Sequence, residues 1–353
     1  MANQKEKIAI VGAGALGGHV GAYLTRAGFN ITLIDPWPEH VDRMNANGLT
    51  LNGSTEEECF TQKVNAIHIT DLQQTSHSQP FAFAFIAMKS YDTTWATQMI
   101  KNYLAPDGYC ISLQNGINEE RMADVVGWGK TLGCIASTIA VELDSPAHIN
   151  RNVKLGGTKR NIFSVGEVHG RVTNRVKKIV EILSYVDSTE PTTNLWGLRW
   201  SKLIINCMRN PISAATGRGG NANDKDPKAR RLAIRLGGEA GRIGLALGYE
   251  LELVYKIEPE LLVAAERGDN RAMSECEEKL LANMSFRNDD QRPSMGQDIL
   301  KGRRTEIDYL NGLVVEKSMQ LGLSVPTNKG IADLVRRIER GEIEAGPDTI
   351  SNL

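Results

Sequence analysis

The sequence predicts an α/β fold in two parts, an alternating strand-and-helix half followed by an all-helical half. Three observations predict it. An apolar run at 8–11 leads into a glycine-rich turn, a helical stretch at 19–28 and a second strand at 31–35, which together make a βαβ unit. The alternation recurs at 81–88 and 109–113, which implies a parallel sheet. Beyond residue 195 the pattern is helical.

Composition fixes the class. A chain of 353 residues is too long for one ordinary core and suits two domains, placed at 1–190 and 191–353 across the polar, proline-containing stretch 187–193. Hydrophobic residues at 41% and charged residues at 24% describe a soluble globular protein, and a net charge of -1 argues against a nucleic-acid partner. Cys59, Cys110, Cys134, Cys207 and Cys276 form no C-x-x-C pair, which suits a reducing compartment and gives neither a disulfide framework nor a zinc site. The six histidines form no metal-ligand cluster. The longest apolar run, 81–88, is far too short to cross a bilayer. The expectation is a cytoplasmic protein with no metal and no membrane or nucleic-acid partner.

The first half then reads in order. A short helix at 39–47 stops at Gly48, and 49–69 holds short strands of an edge excursion, including 63–69. Strand 81–88 is followed by Lys89 and a helix at 93–103, and strand 109–113 ends in Gln114-Asn115-Gly116. A helix from 118, strands at 131–140, 153–155 and 162–165, and a helix at 172–183 complete the half. The second half gives helices at 195–209, 228–247, 258–267, 271–283, 294–321 and 328–340. Residues 218–226 and 287–292 read as polar loops that could cover a site.

The turn after the first strand carries Gly12, Gly14 and Gly17 in G-x-G-x-x-G spacing. Gly12 permits a tight turn, Gly14 lets a pyrophosphate approach the backbone, and Gly17 lets helix pack on strand. The helix start adds free N–H groups and a positive dipole end. This is a Rossmann-type dinucleotide-binding domain, with Gly12, Ala13, Gly14, Ala15, Leu16 and Gly17 as its cofactor loop. Asp35, 21 residues after Gly14, ends the second strand, where a carboxylate accepts from the ribose hydroxyls and repels a 2′-phosphate. That predicts NAD(H).

Two helices of the second half carry polar residues in apolar surroundings. Lys202, Asn206 and Asn210 recur at i, i+4 and i+8, which suits a wet stripe on a buried helix, and Pro211 predicts a kink or an end at Asn210. Ser294-Met-Gly-Gln297 matches a capping box at the start of 294–321. Glu306 sits in that helix's apolar stripe of Met295, Ile299, Gly302, Leu310, Leu313 and Leu321, and Lys202 is its candidate partner.

These residues resemble the ketopantoate reductase (2-dehydropantoate 2-reductase) family over nearly the whole chain. The resemblance rests on the glycine turn, Ala87-Met-Lys89, Leu113-Gln-Asn-Gly116, Arg199-Trp-Ser-Lys202 with Asn206 and Asn210-Pro211, Ser294-Met-Gly-Gln-Asp298 and Thr305-Glu-Ile-Asp-Tyr-Leu-Asn-Gly312. It implies that Lys202 is the catalytic acid and that Glu306 supports catalysis. It also implies that Asn206, Asn210 and Ser294 hold the substrate, and that Lys89 and Asn115 line the cofactor and substrate sites. The implied reaction is hydride transfer to the ketone of a 2-oxo acid such as 2-dehydropantoate, with a homodimer as candidate assembly.

Two departures stand out. The family usually carries a basic residue after the second strand for the NADPH 2′-phosphate, so the resemblance implies NADP(H), whereas this chain has Asp35-Pro36-Trp37. Arg218-Gly-Gly-Asn221 also differs from the family's usual sequence. The alternative enzyme is an NAD-dependent dehydrogenase of another 2-hydroxy acid. A nucleotide sensor without turnover is the reading from another class.

Overall fold

Residues 8–11 are apolar throughout because the sheet they enter is covered on both faces. The computed structural model describes residues 5–157, 159–286 and 291–353, and the chain divides into two compact units, Met1–Leu195 and Trp196–Leu353. In the first unit the strands are β1 (Lys7–Val11), β2 (Asn30–Asp35), β3 (Leu49–Asn52), β4 (Phe60–Gln62), β5 (Ala66–His68), β6 (Phe81–Ile86), β7 (Leu104–Ser112), β8 (Thr131–Ala136), β9 (Val141–Ser145), β10 (His148–Arg151), β11 (Phe163–Glu167) and β12 (Thr189–Thr192). The helices are α1 (Ala15–Arg26), α2 (Pro38–Asn47), α3 (Thr93–Ile100), α4 (Glu119–Val126) and α5 (Asn174–Leu183).

The main sheet runs β12-β11-β8-β7-β6-β1-β2-β5, and its strands from β8 to β5 pair parallel. That is the doubly wound order whose direction of progression reverses between β1 and β6. Ile8 and Ile10 face a core shared with Val20 and Leu24 of α1 and Ile179 of α5. Ala9 and Val11 face Ala96 and Ile100 of α3 and Met122 of α4.

Three expectations for this unit are corrected. The sheet is not wholly parallel, because β11 runs antiparallel to β8. Residues 153–155 form no strand; the hairpin β9–β10 lies just before them and joins β3 and β4 in a second sheet of order β4-β3-β10-β9. The polar stretch 187–193, expected to hold the domain boundary, is partly strand, since Thr189–Thr192 pairs with β11. As the edge strand it tolerates Pro191 and its polar residues.

A buried polar cluster joins the ends of this unit. Arg151 of β10 pairs with Asp187, whose other oxygen accepts from the N–H groups of Gly156 and Ser188 at 2.8 Å. Arg151 also donates to His19 Nε2 at 3.2 Å. His19 is 1% exposed, and its Nδ1 has no hydrogen-bond partner. Burial, with the Arg151 charge adding to it, presses the His19 pKa down to about 3.

The second unit is helical, with no strand of the two sheets: α6 (Leu195–Thr216), α7 (Gly220–Lys225), α8 (Pro227–Ala246), α9 (Pro259–Glu266), α10 (Asn270–Ala282), α11 (Ser294–Leu300), α12 (Asn311–Gln320) and α13 (Pro326–Glu339). Residues 220–225, expected as loop, are a short helix, and of the loop expected at 287–292 residues 287–290 lie outside the described residues. No described helix is long and apolar enough to cross a membrane.

The helix does not end at Asn210, for α6 continues through Pro211 to Thr216. Proline removes the N–H that would bond the carbonyl of Cys207 four residues back. Asn311 Nδ2 donates to that carbonyl at 3.3 Å instead. The same Nδ2 donates to Asn328 Oδ1 at 2.9 Å, and Glu239 accepts from the Thr327 N–H at 2.9 Å and the Asn328 N–H at 2.8 Å. Glu239 therefore caps α13, and a buried polar chain runs from α8 through α13 and α12 to the proline site of α6.

The expected single helix 294–321 is also corrected. It breaks after α11, where Gly302 takes φ +60° and the Arg303 N–H bonds the Asp298 carbonyl at 2.8 Å. A left-handed glycine after the last turn is a helix stop. Glu306 then opens a single 3₁₀ turn, Ile307–Tyr309, ahead of α12.

Two outcomes follow from these clusters. Folded His19 stays neutral down to about pH 3, whereas the unfolded side chain takes a proton near its ordinary value of 6.5. Its stabilisation is present above pH 6.5 and is lost as pH falls toward 3, at up to about 1.4 kcal/mol per pH unit. Urea unfolding of wild type and His19→Gln between pH 7 and 4.5 should show a steeper acid loss in wild type; parallel curves would contradict the assignment. For the proline site, Asn311→Ala should cost about 1–3 kcal/mol by orphaning buried acceptors. Combined with Pro211→Ala, which returns an N–H to Cys207, it should cost about 1 kcal/mol less than the sum of the single variants. Strict additivity would mean that Asn311 does not serve that carbonyl.

Candidate functional site

The glycine turn lies at the carboxyl end of β1, where the strand order reverses. Gly12 takes φ +98°, and a Cβ there would lie 2.9 Å from the backbone of Ala87 and Met88, which follow β6. A Cβ on Gly17 would lie 1.9 Å from the Gly12 carbonyl oxygen, so α1 packs hard against the turn. A Cβ on Gly14 would meet nothing within 4 Å. Space therefore opens where the backbone is barest. α1 starts at Ala15 with no side-chain cap, so its first N–H groups have no partner within the helix. This combination fits the pyrophosphate of a dinucleotide.

Asp35 is buried at the end of β2. Its Oδ2 accepts from the Ala13 N–H at 2.8 Å and its Oδ1 from the Trp37 N–H at 2.9 Å. The carboxylate thus holds the glycine turn as well as ending the strand. Gly12, Ala13, Gly14, Ala15, Leu16, Gly17 and Asp35 form one constellation.

Lys89 follows β6, and Asn115 follows β7 on the next strand of the sheet. Both are half-buried. Gln114 ties their loops together by donating to the Met88 carbonyl and to Thr93 Oγ1, each at 2.8 Å. Asn118 Nδ2 donates to the Asn115 carbonyl at 2.8 Å and to Ser90 Oγ at 3.1 Å, and Gly116 turns at φ +76°. Gln114 and Asn118 are the polar residues that shape this edge. Gln114 stands in the sequence only as part of a motif, and Asn118 carries no signal there.

In the second unit, Lys202, Asn206 and Asn210 lie along α6 as expected. Lys202 is half-buried, while Asn206 and Asn210 are buried. Trp200 anchors the helix by donating to the Ala240 carbonyl at 2.8 Å. Asn210 meets Ser294 directly: its Oδ1 lies 3.4 Å from both Ser294 Oγ and the Met295 N–H. The expected capping box is absent. Pro293 occupies the cap position, Ser294 begins the helix, and the carboxamide of Asn210 serves the α11 start.

Glu306 is 5% exposed, and the turn it opens is fixed by the Thr305 N–H donating to Glu339 at 2.6 Å. Arg209, next to Asn210, was not foreseen. It is buried, pairs with Asp224 of α7, and stacks 4.8 Å from the centre of the Tyr255 ring. Among the described residues no group of three or more histidine, cysteine or acidic side chains could hold a metal ion.

Comparison with known proteins matches both halves of the chain to one family. The family description "Ketopantoate reductase PanE/ApbA" matches residues 8–161, and "Ketopantoate reductase PanE/ApbA C terminal" matches residues 194–339. The 2-dehydropantoate 2-reductase of Archaeoglobus fulgidus is 27% identical over 340 residues, covering 95% of this chain and 99% of that protein. A PanE/ApbA family ketopantoate reductase from Ralstonia eutropha JMP134 superposes with a TM-score of 0.76 at 26% identity, covering 95% of this chain and 99% of that one. D-mandelate dehydrogenase, solved with NADH and anilino(oxo)acetate, shares the fold at a TM-score of 0.77 and 20% identity, over 95% of this chain and 98% of that one. With both halves matched, the chain belongs to the ketopantoate reductase family.

Proposed function

We propose that this protein reduces the ketone of a 2-oxo acid such as 2-dehydropantoate to the 2-hydroxy acid. The observation that carries the reading is α6, a buried helix with a half-buried lysine and two buried carboxamides on one side, in a segment that matches the family. When bound, the nicotinamide cofactor supplies the hydride that reduces the ketone carbon. The glycine turn and the start of α1 bind its pyrophosphate, Asp35 its adenosine ribose, and Lys89 and Asn115 its nicotinamide end.

Lys202 hydrogen-bonds the ketone oxygen and donates the proton as negative charge develops there, then regains a proton from solvent. Glu306 holds the ammonium of Lys202. Asn206, Asn210 and Ser294 orient the carboxylate and hydroxyl groups of the substrate, and the Asn210–Ser294 contact supports that joint role. Lys202→Ala should lower kcat/KM by about 10²–10⁴-fold against the preferred 2-oxo acid. Activity within tenfold of wild type would remove the lysine from this role.

A second reading, an NAD-linked dehydrogenase of another 2-hydroxy acid, is favoured by Asp35 and by the NADH in the D-mandelate dehydrogenase relative. We propose NAD(H) as the preferred cofactor in either case. A dianionic 2′-phosphate beside the Asp35 carboxylate costs on the order of 1–3 kcal/mol, so wild type should favour NADH by about tenfold or more in kcat/KM. Asp35→Asn should shift the NADPH/NADH ratio about tenfold toward NADPH; the ratio cancels losses common to both cofactors. Equal or better use of NADPH by wild type would refute the preference. Clear selectivity for 2-dehydropantoate across a panel of 2-oxo and 2-hydroxy acids would decide against the second reading.

A further inference from the structure

His40 is 0% exposed and belongs to no step above. It sits in the first turn of α2, where Trp37 stacks on its ring with centroids 5.6 Å apart and planes 20° apart. Both ring nitrogens are engaged. Nδ1 accepts from the Ala147 N–H at 2.9 Å, so it carries no proton. Nε2 therefore holds the ring proton and donates it to the Ala13 carbonyl at 2.9 Å. The neighbours thus fix a single neutral tautomer.

Ala13 lies between Gly12 and Gly14, two residues that impose little shape on a backbone. Its N–H is held by Asp35 and its carbonyl by His40. The carbonyl of Ala13 and the N–H of Gly14 share one trans peptide and point in opposite directions. A carbonyl held at His40 therefore turns the Gly14 N–H to the opposite side of the peptide, and a Cβ on Gly14 would meet nothing within 4 Å. The far side of the imidazole rests on Ala147, a non-glycine residue at φ +62° in the turn between β9 and β10. The second sheet thereby supports the glycine turn through one imidazole.

We propose that His40 is a positioning residue for the dinucleotide: it sets the Ala13–Gly14 peptide so that its N–H meets the pyrophosphate, and it makes the β9–β10 turn part of that support. The inference rests on reading the glycine turn as the pyrophosphate site. His40 touches neither substrate nor the reacting atoms, so its effect falls on cofactor affinity and not on the chemical step.

The test uses the full chain and NADH, with Kd from titration calorimetry. His40→Phe keeps a flat ring on Trp37 and removes both hydrogen bonds. It should raise the NADH Kd by about tenfold or more while kcat at saturating NADH stays within about threefold. His40→Gln, whose amide offers one donor and one acceptor, should restore most of the affinity. Adenosine, which lacks the pyrophosphate, should bind all three proteins alike. Hydrogen exchange on wild type needs no variant: amide exchange at 145–148 should slow at least twofold when NADH binds. A His40→Phe Kd within twofold of wild type, an equal loss of adenosine affinity, no recovery in His40→Gln, or unchanged exchange at 145–148 would each overturn the inference. Gly14→Val separates it from the reading beneath it. If that variant binds NADH normally, the pyrophosphate reading fails; if it loses NADH while His40→Phe binds normally, only the role of His40 fails.

Discussion

The first unit depends on how closely α1 and β6 approach the end of β1. At Gly17 the helix comes so near the turn that one added carbon would lie 1.9 Å from a backbone oxygen, and a carbon added at Gly12 would lie 2.9 Å from the segment after β6. No side chain fits between these elements, so the backbone itself lines the space at the strand end. That crowding leaves open room beside Gly14 and unbonded N–H groups at the helix start. An anionic ligand answers both. The glycines are thus a packing requirement before they are a binding motif.

The second unit solves a different problem. It keeps polar side chains in the interior by giving them partners in sequence-distant helices. Asn210 serves the start of α11, Glu239 serves the start of α13, and Asn311 serves the carbonyl that Pro211 leaves open. Each bond joins a helix terminus or a helix defect to a buried side chain. The price is that the helix carrying Lys202 depends on residues more than a hundred positions later in the chain.

Much of this was legible in the residues. Period and composition marked an alternating half and a helical half, and the glycine spacing put its turn between a strand and a helix, where it lies. The polar stripe of α6 also stood out, because lysine and asparagine are costly in an apolar helix. The errors share a cause. Pro211 does not end its helix because a tertiary partner meets the carbonyl it leaves open, and the 294–321 periodicity gave way to a glycine stop. Ser294 had the spacing of a cap, yet Asn210, 84 residues earlier, does the capping. His40 gave no signal at all, since a lone histidine on an amphipathic helix does not reveal which carbonyl it will meet.

The buried Arg151–Asp187 pair carries a consequence for how the protein can be made or cut. Arg151 is surrounded by backbone carbonyls, the neutral ring of His19 and one carboxylate, which arrives only at residue 187, after α5. A nascent chain that has emerged only as far as β11 holds a guanidinium whose counter-ion is still inside the ribosome. The first unit therefore closes late in synthesis, although its glycine turn at 12–17 emerges long before Asp187. A fragment ending before Asp187 would keep every glycine of the turn and still bury an uncompensated charge beside α1.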